Sequence, residues 1–271
     1  MGSSLFLFLF RFLYAPPASL FVTAMSGVSL VFLANAGLSE IRGRHLQYSK
    51  FWDARAPSVL KVKRVKVSSR AGMLALYAPA FLAGLVSFWV FPGHGLRFLL
   101  LNSAITLHFL KRVLEVLFIH KYSGAMILDS VVVISLSYFL SAVTMIYNQH
   151  LVDSVQEPPF DLKYIGFILF MVSSAGNFYH HYLLAKLREK NDKGYKIPKG
   201  GMFNLVICPH YLFEILAFVG ISFISQTVYP FCFTIGTTFY LLGRSYCTRK
   251  WYLSKFENFP KDVKALIPYI F

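Results

Sequence analysis

The sequence predicts an all-α polytopic membrane protein with seven transmembrane helices. Of its 271 residues, 56% are hydrophobic, 17% are aromatic and only 14% are charged. About 25% charged is usual for a soluble domain. The apolar residues also come in long runs rather than alternating with polar ones, and 27 Lys and Arg against 12 Asp and Glu leave a net charge of +15 that is unevenly spread. A soluble core of this length would leave too much apolar surface in water, whereas a bilayer accepts runs of about 20 such residues.

Scanning for runs of that length places spans at 17–38, 71–91, 96–119, 125–147, 164–187, 203–224 and 227–246. The opening LFLFLFRFLYAPP is apolar but carries its one arginine, Arg11, late and has no small-residue cleavage pattern. It reads as a retained membrane-interface segment. Between the spans the basic residues sort to one side: nine in loop 39–70, six in 186–202, five in the tail 247–271, and Lys121 in the third connection. The other side holds Arg11, Arg97 and Lys163, with Asp153, Glu157 and Asp161 beside the last of these. The positive-inside rule then predicts a lumenal N-terminus and a cytoplasmic C-terminus, and a basic excess sorted this way points to membrane topology rather than to nucleic acid. The three cysteines form no CxxC pair, and no ligand spacing argues for a metal. Neither GxGxxG nor GxxxxGK[ST] occurs, so no Rossmann or P-loop nucleotide site is expected.

Ionisable residues inside spans are costly and suggest function. In LHFLKRVLEVLFIHKYSG, Lys111 and Arg112 lie four and three residues before Glu115, close enough to share a helix face. In GNFYHHYLLAKLR, Asn177 and His181 share a face, while the adjacent His180 and His181 point to different sides. In CPHYLFE, Pro209 removes a backbone donor and is expected to bend a membrane helix, with His210, Tyr211 and Glu214 following it. In GRSYCTRKWYLSKFENFPK, Arg244, Arg249, Lys250, Tyr252 and Lys255 surround the end of the last helix. With YKIPKGGMF, the last three stretches predict a basic, aromatic-lined mouth at the cytoplasmic side, suited to a phosphorylated nucleotide. Each has a purely structural alternative: a self-neutralised ion pair, a core histidine, a lone proline kink, or a lipid-headgroup anchor.

At these residues the chain resembles the steroid 5α-reductase family, which includes the very-long-chain trans-2-enoyl-CoA reductases. The resemblance runs from about 71 to 271 through GNFYHHYLLAKLREKNDKGYKIPKGGMFNLVICPHYLFEI and RKWYLSKFENFPKDVKALIPYIF. Residues 1–70 would then be an interfacial segment, a first span and a basic loop, preceding a reductase-like region at 71–271. The resemblance implies a seven-helix membrane fold in the endoplasmic reticulum, NADPH as cofactor, a lipid or steroid substrate, and reduction of a carbon–carbon double bond conjugated to a carbonyl. Residue by residue it implies cofactor contacts at Asn177, Arg188, Tyr195, Glu214, Arg244 and Tyr252, with Thr248 where the family has a histidine. The steroid branch polarises its carbonyl with a Glu and a Tyr; Tyr77 and Phe109 stand at those positions. Lys111 and Tyr211 match the pair that the enoyl-CoA branch needs, so the resemblance implies Tyr211 as proton donor with Lys111 holding its hydroxyl. Tyr77, Arg112 and His210 are expected on the substrate side, His210 being either an orienting group or a packed core histidine. A lipid-binding or scaffolding protein of the same fold is the alternative.

Overall fold

The computed structural model describes residues 11–46, 48, 51, 65–122, 124–187 and 194–271. Among them are seven long α-helices: α1 (Leu20–Ile41), α2 (Ser69–Val90), α3 (Leu96–Leu114), α4 (Leu128–Leu151), α5 (Lys163–Lys186), α6 (Pro209–Ser225) and α7 (Val228–Lys255). Three of them, α1, α2 and α4, are long and apolar enough to cross a membrane. Their outward faces carry Val31, Phe32, Leu82, Val86, Trp89 and Leu136, all exposed, as residues facing hydrocarbon would be.

The helices pack in pairs, α1 along α7, α5 along α6, and α2 between α3 and α4. Their shared core includes Leu76, Phe98, Leu101, Ile105, Val116, Met145, Phe218 and Ile221. Two short strands unexpected from sequence, β1 (Lys66–Ser68) and β2 (Ala125–Ile127), pair antiparallel and tie the start of α2 to the start of α4.

Pro79 lies inside α2 and has no N–H to offer Ala75, four residues earlier. Ser135 of α4 donates its hydroxyl to that Ala75 carbonyl at 2.7 Å. A neighbouring helix thus satisfies the group that proline orphans, the arrangement that makes proline tolerable away from water. The other notable proline corrects an expectation: Pro209 does not bend a helix but begins one, at the first turn of α6, where its missing N–H costs nothing. The chain ahead of it is held by the tail, since Ile207 N–H donates to Lys264 O at 2.9 Å and Cys208 N–H to Ala265 O at 3.2 Å. Arg249 in turn donates to Val263 O and Lys261 O, both at 2.6 Å. The start of α6 is therefore fixed from outside the helix.

The opposite end of the bundle closes on Gln226, whose left-handed backbone (φ 51°) caps α6. Its amide donates to Phe12 O at 2.6 Å and Phe160 O at 2.7 Å, and its oxygen accepts from Arg97 and Leu162 N–H. Buried Arg97 continues to Asp161 at 2.7 Å and Glu157 at 3.2 Å. The Arg97 hydrogen bond holds the Glu157 carboxyl below the usual carboxylate range.

Candidate active site

The third helix does not end as an α-helix. After Leu114 it widens into a π turn over Glu115–Ile119, closed by His120 N–H donating to Glu115 O at 2.8 Å. Such turns often mark functional positions. Here the wider turn carries the His120 ring back toward Glu115, and Nε2 stands 3.9 Å from the Glu115 carboxylate. Burial, with His181 and Arg112 close by, pushes His120 down to about 3.

Around Glu115 a buried network forms from three helices. Arg112 donates to Glu115, lies 2.8 Å from His181 Nδ1, and donates through its other terminal nitrogen to the Tyr77 hydroxyl at 2.7 Å. The guanidinium also lies 4.7 Å from the Tyr77 ring centroid. His181 Nδ1 is 3.0 Å from Glu115. The expected divergence of the two histidines is seen: His180 Nε2 accepts from Met202 N–H at 3.1 Å, leaving Nδ1 to donate to Gly176 O at 2.7 Å.

Ligand atoms of Glu115, His120 and His181 lie within 4.8 Å of one another, a juxtaposition the sequence spacing did not suggest. A dication placed there would have to displace the Arg112 guanidinium, which already touches both the carboxylate and the His181 imidazole. The donor set therefore suits an arginine-centred network better than a metal.

Three hollows adjoin this network. The first, about 250 Å³, is lined by Lys121, Tyr195, Lys196, Arg244, Thr248 and Tyr252, among others. The second, about 240 Å³, lies at the centre and is lined by Tyr77, Arg112, His181, His210, Tyr211 and Glu214. The third, about 100 Å³, is apolar, with Phe32, Leu33, Met73, Ile134, Phe233 and Leu241 in its wall. Tyr195, His210 and Tyr211 line both of the first two, while Tyr77, Tyr138 and Glu214 line both of the last two. Tyr48, from the segment after α1, lines all three.

The residues expected to act in catalysis or to touch cofactor or substrate line these hollows with three exceptions. Lys111 is not at Tyr211: its ammonium donates to Asn177 Oδ1 and lies 3.5 Å from Glu115, and it lines neither of the hollows that Tyr211 lines. The cause is helical register, because Lys111 and Arg112 are 100° apart around α3 and Arg112 takes the inward face. Asn177 does not line the polar hollow either, since its amide nitrogen donates to His210 O at 2.8 Å. It positions the residue before Tyr211. Arg188 lies outside the described residues. Arg244 does line the polar hollow, yet it is heavily engaged, donating to Glu40 at 2.8 Å and sandwiched between the Tyr48 and Phe51 rings, each 4.3 Å away. Glu40 escaped the sequence reading because it sits at the end of an ordinary apolar run. Its basic partner is 204 residues away.

The fold and site define a helical membrane protein with a basic, aromatic mouth leading to a buried Tyr/Arg/Glu/His centre. Comparison with known proteins makes the class particular: residues 118–271, more than half of the chain, match the family described as 3-oxo-5-alpha-steroid 4-dehydrogenase. The chain belongs to that family. It is 39% identical over 119 residues to 3-oxo-5-alpha-steroid 4-dehydrogenase 1 of Macaca fascicularis, covering 44% of each chain. It is 40% identical over 107 residues to the steroid 5-alpha-reductase DET2 of Gossypium hirsutum, covering 39% of this chain and 42% of that one. It is 28% identical over 168 residues to a very-long-chain enoyl-CoA reductase of Dictyostelium discoideum, covering 61% of this chain and 55% of that one. The chain thus spans about half the length of the curated relatives it matches. By their names these relatives are oxidoreductases.

Proposed function

We propose that this chain is an NADPH-dependent membrane reductase of a carbon–carbon double bond conjugated to a carbonyl, in a lipid substrate of the 3-oxo-Δ4-steroid or trans-2-enoyl-CoA type. The observation that carries the reading is the sequence of hollows with shared walls, polar and basic at one end, apolar at the other, with Tyr77, Arg112, Tyr211 and Glu214 between them. A reaction joining a water-soluble nucleotide to a hydrocarbon substrate needs such a junction.

The lining of the first hollow fits the cofactor. Lys121 and Lys196 offer cations to phosphates, Tyr195 and Tyr252 offer ring faces, and Arg244 adds a third cation beside them. When bound, NADPH would supply hydride to the β-carbon. The chain's own groups do the rest. Glu214, in the central wall, orients polar groups of the cofactor end, and Tyr211, lining both polar and central hollows, delivers the proton. Asn177, receiving Lys111 and donating to His210 O, fixes the backbone that carries Tyr211. The His210 ring, 4.3 Å from the Tyr211 ring, holds the phenol against the hollow.

In this reading the polar mouth faces the cytosol of an endoplasmic-reticulum membrane, and the apolar hollow receives the substrate from the bilayer between α1 and α4. Phe32 and Val133, which line it, are both part exposed on the lipid-facing side. Residues 71–271 form the reductase region, and 1–70 supply the first span and the segment carrying Tyr48.

The deciding experiment is NADPH oxidation by detergent-purified protein, offered separately a long-chain trans-2-enoyl-CoA and a 3-oxo-Δ4 steroid. Turnover of one of them, lost by about 10²-fold or more in Tyr211→Phe, is expected. No saturable NADPH binding and no turnover with either substrate would end the reading.

A further inference from the structure

We propose that His94 and His150 form a binding site for a divalent ion of the zinc type, with Asp153 orienting His94 from behind. The three residues sit at the end of the bundle that Gln226 closes, and none of them lines any of the three hollows.

His94 stands in the connection between α2 and α3, His150 in the last turn of α4 and Asp153 just beyond that helix. His94 Nδ1 is 2.7 Å from Asp153 Oδ2, and His94 Nε2 is 3.0 Å from His150 Nδ1. An ionised carboxylate can only accept, so a neutral His94 keeps its proton on Nδ1 and turns the lone pair of Nε2 toward His150. His150 meets that lone pair with an Nδ1 proton. Shifting this proton to its own Nε2 changes the tautomer without releasing a proton, and leaves two imidazole lone pairs facing each other.

That is the separation a metal ion asks for. Two nitrogens bound to one tetrahedral zinc at about 2.0–2.1 Å stand about 3.3 Å apart, so an opening of about 0.3 Å from the observed 3.0 Å admits the ion. The carboxylate supplies the rest of the pattern. A metal-binding histidine commonly donates its second ring N–H to a carboxylate, which fixes the ring and raises its basicity, and Asp153 already holds that place.

The rings are also held by packing, with Phe91 4.5 Å from His150 and Phe98 4.4 Å from His94 between centroids. At Glu115 the Arg112 guanidinium occupies the space an ion would need. Here, among the described residues, none of the three groups has an arginine or lysine partner. The site is open to solvent, the His94 side chain being 16% exposed and that of Asp153 29%, so water completes the coordination. The ion would tie the α2–α3 connection to the end of α4. With 56 residues between the two histidines, no local spacing betrays the pair.

The test is calorimetric titration of Zn²⁺ into the full chain, purified in detergent without a polyhistidine tag. One ion per chain is expected, with binding lost in His94→Ala and weakened by about 10–100-fold in Asp153→Asn, the usual effect of removing such a carboxylate. His150→Asn keeps an N–H donor for His94 but has no imidazole lone pair, so it preserves the fold and should also lose the ion. Zinc should raise the thermal unfolding midpoint of wild type and leave that of His150→Asn where it was. His120→Ala, at the other end of the bundle, should bind zinc as wild type does. No saturable zinc binding by wild type, or undiminished binding by folded His150→Asn, overturns the proposal. Binding that only His120→Ala abolishes overturns it too, by placing the ion at Glu115.

Discussion

Glu40 is 1% exposed and Arg244 2%, and the ion pair between them is held by more than charge. Glu40 also accepts from His45 at 2.6 Å and from Leu46 N–H at 3.1 Å, and Arg244 reaches the carbonyls of Leu46 and Tyr48. The pair thereby clasps the segment that brings Tyr48 to all three hollows. Removing one partner of a buried pair leaves a charge with neither water nor counter-ion, at a cost of about 3–5 kcal/mol. Glu40→Ala should therefore lower the thermal unfolding midpoint strongly and weaken NADPH binding, as Tyr48 loses its anchor. Intact NADPH affinity in a folded Glu40→Ala protein would show that the clasp does not shape the mouth. At this scale the sequence was legible only locally: the three- and four-residue spacings around Glu115 foretold its pairs with Arg112 and Lys111. They could not foretell Tyr77, His181 or Asn177 as further partners, because those contacts depend on how separate helices are turned toward each other.

Between elements, close approach of backbones decides what fits. Where α5 crosses α6, a Cβ on Gly220 would lie 2.7 Å from Gly166 O, and one on Gly166 would lie 2.6 Å from Gly220 O. Small residues at such crossings let membrane helices pack through their backbones. This crossing also sets the distance between Asn177 on α5 and His210 on α6. Gly220→Ala should destabilise the protein by about 1–3 kcal/mol, as overpacking does. Gly27→Ala on α1, where an added Cβ meets nothing within 4 Å, should be neutral or slightly stabilising, since alanine is the better helix former. Thermal unfolding of both variants in one detergent checks the opposite signs; equal effects would mean that the α5–α6 crossing can relax. Helix existence was readable from apolar runs, but ends were not. The helix expected from residue 203 starts at Pro209, and the one expected to stop near 246 continues to Lys255, because tail contacts and aromatic packing, rather than hydropathy, fix those boundaries.

For the whole molecule, the two ends of the bundle differ in kind. One is closed by Arg97, Gln226, Glu157 and Asp161, whose groups satisfy one another. The other opens through the polar hollow, with Lys121 and Lys196 in its wall. Composition and charge bias made the seven-helix plan legible. They could not make the hollows legible, since a cavity is a property of packing rather than of any run of residues. The proposed function, read with the positive-inside bias, predicts that the open end faces the cytosol, where a nucleotide is available, and the closed end the lumen. The native chain has no Asn-x-Ser/Thr acceptor, so a single introduced one reports on its own location. An acceptor inserted in an extended 152–161 loop should be glycosylated in translocation-competent microsomes, whereas one appended after Phe271 should not. Modification after Phe271 alone would invert the orientation and put the polar mouth in the lumen, away from the cytosolic cofactor pool on which the proposed reaction depends.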